Sequence, residues 1–188
     1  MAVQPQGNEL DLIQDIIFER NWVIGGSGSA FLAVLNAPRE SIRNNVFDTS
    51  LTTFHNALVV SSNASYPSAT WTDTAWVYNN TFYDSAAAVT AIRIDANSSN
   101  VTVKNNLAYS ASGGTMISGT GTGTFTQSNN TGTITSSPGF ANTSNPAIAG
   151  FFKPTTGNTI GGGTSVPVWS DFFLFAEPSP YDIGAVVH

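Results

Sequence analysis

Asparagine recurs along this chain at a near-regular spacing: Asn21 alone, then the pairs Asn44-Asn45, Asn79-Asn80, Asn105-Asn106 and Asn129-Asn130. Counted on Asn21 and the second member of each pair, the steps are 24, 35, 26 and 24 residues. A unit of that length cannot bury a core alone, so it must stack on its neighbours, and a solenoid is the architecture expected. The fold is more constrained by this feature than the function is.

Placing these asparagines in one column aligns what precedes them. Three positions earlier stand Phe18, Ile42, Val77, Val103 and Gln127, and five positions earlier Ile16, Glu40, Ala75, Val101 and Phe125. Mostly apolar columns two residues apart mark a strand with one face buried. The interleaved rows, Glu19, Arg43, Tyr78, Lys104, Ser128 and Ile17, Ser41, Trp76, Thr102, Thr126, are then expected to face outward. Beyond each Asn, Val23, Phe47, Phe82 and Ala108 form a second inward column, and residues 31–35, 57–60, 91–94 and 115–117 form a third apolar stretch.

Three short strands per repeat, with turns at Asn and Gly, describe one triangular coil of a parallel β-helix. Coils stack about 4.8 Å apart, close enough for side-chain amides to bond along the axis. Asn also tolerates the left-handed backbone of a sharp turn. The expected fold class is therefore all-β, a single-stranded parallel β-helix of about five coils.

Composition agrees. The chain is 41% apolar and 10% charged, and Ser, Thr, Asn and Gly between Val, Ile, Phe and Trp are strand-and-turn chemistry. A net charge of −6 gives no cationic footprint for nucleic acid. There is no Cys, hence no disulfide or thiolate metal site. No apolar run approaches the roughly 20 residues of a membrane span, and residues 1–7 do not look like a signal peptide.

One domain over residues 1–188 is expected, with residues 1–14 as an N-terminal cap or partial coil, including a short capping helix over 8–14. Residues 15–137 would form the coils. The 35-residue step places an inserted loop at residues 61–73, carrying Tyr66, Pro67 and Trp71. That loop is either a binding loop on a rigid stack or a packed flap. From residue 138 onward, prolines and the Gly161-Gly162-Gly163 run break the pattern, and Trp169, Phe172, Phe173 and Phe175 supply an apolar patch. An irregular C-terminal cap over residues 138–188 is expected there.

The coils at Ile42-Arg43-Asn44-Asn45-Val46-Phe47 and Val77-Tyr78-Asn79-Asn80-Thr81-Phe82 resemble the right-handed parallel β-helix repeats of the pectate-lyase-like superfamily. The closing Tyr181-Asp182-Ile183-Gly184-Ala185 resembles an ending common among its secreted members, chondroitinase-B-like and alginate-lyase-like proteins included. The resemblance implies a right-handed coil and an extracellular setting. It leaves activity open among lyases, hydrolases, epimerases, phage tailspikes and adhesin stalks. Such enzymes commonly carry more coils than are counted here, so the chain looks like a short or C-terminal portion of a β-helix.

Polyuronate β-elimination needs a neutralised substrate carboxylate and a base for the C5 proton. Arg43, Tyr78 and Lys104 are the catalytic candidates, with Arg43 and Lys104 about 10 Å apart, two rungs at the usual strand spacing. Trp76, Trp71, Tyr66 and Glu19 are candidate sugar contacts, since aromatic faces stack on sugar rings and exposed aromatics beside polar groups form carbohydrate platforms. Alternating charge on a solvated sheet face is the competing reading of the same row.

A paired-carboxylate hydrolase is disfavoured: Asp48, Asp84 and Asp95 are single turn residues and His55 is the only internal His. No cofactor is expected. Calcium would need several convergent oxygens, and although Glu40, Asp48 and Asp84 could approach one another, no Asp-rich loop appears. The expected function is recognition or processing of an extracellular polysaccharide. Its alternatives are a polysaccharide lyase or a non-catalytic stalk, adhesin or tailspike segment.

Overall fold

The computed structural model describes residues 2–3, 15–25, 30, 32–35, 39–52, 56–61, 74–95, 98–120, 124–131 and 134–187. Among them are fourteen strands and no helix: β1 (Ala2–Val3), β2 (Ile17–Glu19), β3 (Trp22–Ile24), β4 (Leu32–Leu35), β5 (Glu40–Arg43), β6 (Val46–Asp48), β7 (Asn56–Ser61), β8 (Ala75–Tyr78), β9 (Thr81–Asp84), β10 (Val89–Asp95), β11 (Val101–Lys104), β12 (Leu107–Ser110), β13 (Gly114–Thr120) and β14 (Phe125–Ser128). They form three sheets in the spatial orders β1-β4-β7-β10-β13 (sheet A), β2-β5-β8-β11-β14 (sheet B) and β3-β6-β9-β12 (sheet C).

Every strand pairing within the sheets is parallel. From β2 onward the chain visits sheets B, C and A in strict rotation. The arrangement is compatible with a parallel β-helix solenoid, in which each strand pairs with its equivalent one repeat away. The register is the one the asparagine spacing dictates: Glu19 faces Arg43, Arg43 faces Tyr78, Tyr78 faces Lys104 and Lys104 faces Ser128.

The corner between sheets B and C explains the paired asparagines. The first member takes the left-handed conformation, with φ of 54° at Asn44, 51° at Asn79, 55° at Asn105 and 52° at Asn129. Asn adopts this conformation at lower cost than most residues. Arg20 occupies the same place above them with φ 55°, which is why Asn21 stands alone in the sequence. The second member points inward. Asn21, Asn45, Asn80 and Asn106 each donate from Nδ2 to Oδ1 of the next, at 2.9 to 3.0 Å, and each backbone N–H donates to that same oxygen. The remaining Nδ2 hydrogens of Asn45, Asn80, Asn106 and Asn130 reach backbone carbonyls of Phe18, Ile42, Val77 and Val103. Buried amides are thereby satisfied along the whole column.

The inward columns build one core. Ile42, Val77 and Val103 from sheet B, Phe47, Phe82 and Ala108 from sheet C, and Leu58, Val60, Ile92 and Ile94 from sheet A are all buried. Phe47 and Phe82 stack with centroids 5.1 Å apart and planes 6° from parallel. Glu40, an acidic member of an otherwise largely apolar column, is also buried. Asp48 and Asp84 serve turns: Asp48 accepts from the Ser50 N–H, and Asp84 from the N–H groups of Ala86 and Ala87 and from the Thr49 hydroxyl.

Residues 138–187 have little regular structure and lie against the sides of sheets B and C. The outer face of sheet C is apolar at Trp22, Val46 and Tyr83, and the tail covers it with Phe140, Phe151, Phe152, Phe172, Phe173, Ala185 and Val186. Gly184, with φ 114°, lets the tail backbone approach closely, because a Cβ there would stand 3.0 Å from the Thr81 hydroxyl and 3.1 Å from Leu107. The Gly184 N–H donates to the Asn105 carbonyl and the Ala185 N–H to Thr81 Oγ1. The Asp-Ile-Gly-Ala ending is thus the clamp of the tail on the stack. The proposed helix over residues 8–14 and nearly all of the loop at 61–73 lie outside the described residues.

Candidate functional site

Sheet B presents two outward rows, and the tail divides them. Residues 162–171 run along the B–C corner and are held by Asn44, Asn105 and Asn129, the first members of three of the pairs. The Gly162 carbonyl accepts from Asn129 Nδ2, and Thr164 exchanges two bonds with the Asn105 side chain. The Ser170 carbonyl accepts from Asn44 Nδ2, and Arg20 donates to Ser170 Oγ and the Asp171 carbonyl. Farther on, Glu177 Oε1 accepts from Asn79 Nδ2 at 2.9 Å. The asparagines that turn the chain therefore also bind its C-terminal segment.

This segment decides what the first row can do. Arg43 donates from Nε to Glu19 Oε2 at 2.6 Å and from Nη1 to the Pro167 carbonyl at 3.2 Å. Arg20 pairs with the other Glu19 oxygen. Burial would raise the Glu19 pKa, but the Arg43 hydrogen bond and charge, reinforced by Arg20, hold it below the ordinary carboxylate value. Arg43 is thus engaged by Glu19. Tyr78 is 6% exposed, packed with Val166 and Val168 and flanked by Trp76. Burial raises the Tyr78 pKa, offset in part by a hydrogen bond with Thr102, so at neutral pH the phenol keeps its proton.

Lys104 is in register beside Tyr78, half-buried, with an ammonium that makes no ion pair among the described residues. The structure thus brings Glu19, Arg43, Tyr78 and Lys104 into one row, in which Lys104 alone keeps an unengaged charge. Tyr66, Trp71 and His55 lie outside the described residues.

The second row stays open lower in the stack. A trough of about 440 Å³ is lined by Thr74, Trp76, Asn100, Thr102, Phe125 and Thr126, among others. Trp76 and Thr102 are register partners, as are Thr102 and Thr126, whose hydroxyls are 3.5 Å apart. An indole flanked by hydroxyls and an amide offers an apolar face with hydrogen-bonding groups at its rim. Trp22, by contrast, is turned into the tail cluster, edge-on to Phe151 with centroids 5.1 Å apart.

Sequence reasoning did not assign roles to Arg20 or Glu177. Arg20 carried a signal, since it stands where the later repeats carry the first asparagine. Among the described residues no group of three or more His, Cys, Asp or Glu is placed to hold a metal ion. Comparison with family models, curated proteins and solved structures finds no significant match.

Proposed function

We propose that the chain is a right-handed parallel β-helix module of about five coils, of the pectate-lyase-like type, that recognises an extracellular polysaccharide without cleaving it. The trough on sheet B carries this reading: Trp76 supplies a stacking face, and Asn100, Thr102 and Thr126 supply hydrogen-bonding groups at rung spacing. Lys104, in the adjoining row, favours a polymer with carboxylates. The lyase alternative is weakened by the engagement of Arg43 with Glu19 and by the burial of Tyr78. Of the three candidate groups in this row, only Lys104 is left unengaged among the described residues.

Affinity electrophoresis through alginate, pectate and chondroitin, paired with ultraviolet absorbance of the unsaturated product, tests the reading. Retardation by at least one polymer without product is expected, and Trp76→Ala should weaken it about tenfold, about 1.4 kcal/mol. Product formation would move the chain to the lyases. Mobility unaffected by all three polymers would leave the stalk or spike reading.

A further inference from the structure

We propose that the β13–β14 end of the stack is a self-association surface, on which a second copy of this chain seats the same end of its own stack about a two-fold axis. Each rung is completed by the one beneath it, and at β13 and β14 that series stops. These are the edge strands of sheets A and B. At the corner, Asn130 accepts from Asn106 and its Nδ2 donates to the Val103 carbonyl, but among the described residues nothing accepts its backbone N–H. In every rung above, that N–H bonds to the next asparagine.

Side chains repeat the pattern. Phe125 and Gln127 continue the inward columns of Val101 and Val103, yet Phe125 is 37% exposed and Gln127 is exposed as well. Met116 and Ile117, only partly buried, line an opening of about 470 Å³ at this end together with Gln127 and Asn130. The core is therefore open to solvent there.

Charge selects the occupant. Between Lys104 and Lys153 the sequence contains no Asp, Glu, Lys, Arg or His. Free strand edges in monomeric proteins are commonly protected by charge, proline or a bulge, and a long uncharged edge templates pairing with another strand. β13 offers seven residues of such edge. The opposite end is different: Asp15, Glu19 and Arg20 lie on or beside β2, the edge strand of sheet B there, and Asp15 forms an exposed pair with Arg39 of the next rung. Head-to-tail stacking would cover those charges with an uncharged rung and cost their solvation. Two neutral ends meeting leave every charge in water, and a two-fold contact closes after two copies.

Light scattering during size-exclusion chromatography, with sedimentation over protein concentrations up to about 100 µM, reads the outcome as mass. A dimer is expected that does not grow further. Thr115→Lys with Gln127→Lys, both at exposed positions on the edge strands, should convert it to monomer, because two like charges would then meet across the axis. Leu174→Lys, at an exposed position in the tail turn closed by the antiparallel bridge between Ser170 and Ala176, should leave the dimer intact. Should the lysine pair prevent folding, amide exchange of the unaltered chain decides: protection across Gly114–Thr120 must rise with concentration. A monomer throughout overturns the proposal, as does a mass that climbs with concentration into fibres. A dimer broken by Leu174→Lys, or one indifferent to the edge lysines, overturns it equally.

Discussion

Asn79 and Asn80 are chain neighbours with opposite tasks. A φ of 51° turns Asn79 out toward Glu177, while Asn80, fully buried, accepts from the backbone and side chain of Asn45 and donates to Asn106 and the Ile42 carbonyl. Removing the inner amide strands several buried partners at once; removing the outer one costs a single bond to the tail. Asn80→Ala should therefore lower stability by about 3 kcal/mol. Asn79→Gly, which preserves the left-handed turn, should cost only about 1 kcal/mol. Urea unfolding of both variants measures the difference, and equal losses would contradict the division of labour.

At the scale of elements, the tail carries two acids whose pKa values burial raises, Glu177 and Asp171. The Glu177 carboxyl accepts from Asn79 through Oε1, and its Oε2 is buried without a hydrogen-bond partner among the described residues. Burial raises its pKa from 4.5 to about 7, the Asn79 bond opposes this, and the charges of Asp171 and Asp182 add to the rise. Burial also raises the Asp171 pKa, against hydrogen bonds from the backbone of Phe175, Val187 and Phe173 and the charge of Arg20. An acid whose folded pKa exceeds its unfolded one binds protons more readily when folded. Its contribution is complete below about pH 4.5 and is lost as pH climbs through about 7. Stability and amide protection across residues 162–187 should accordingly decline over that interval. Glu177→Gln, neutral and able to keep the Asn79 contact, should flatten most of the decline, and an unchanged pH profile would refute the assignment.

For the whole molecule, the tail and the stack share one apolar layer. Trp22, Val46 and Tyr83 on the outer face of sheet C pack against Phe151 and Phe152, so sheet C is buried on both sides. Elements joined by such a layer unfold together. Fluorescence of a variant keeping Trp22 as its sole tryptophan and far-ultraviolet circular dichroism should report one coincident transition, and Phe152→Ala should lower the stability read by both by about 3 to 5 kcal/mol. Two separated transitions would show that the tail is an independent unit.

The repeat, its register and the inward columns were legible in the chain because they depend on residues recurring at fixed spacing. Stacked strands convert spacing directly into pairing, which is why Glu19, Arg43, Tyr78 and Lys104 share a row. That Arg43 is engaged and Tyr78 is covered while Trp76 borders an open trough was decided by the tertiary structure. The Arg43–Glu19 pair is itself a rung contact, but the groups that close over the row, the Pro167 carbonyl on Arg43 124 positions away and Val166 and Val168 on Tyr78, come from the tail, which has no repeat. Periodicity encodes what lies on the next rung; it carries no information about an aperiodic segment that folds back along the side.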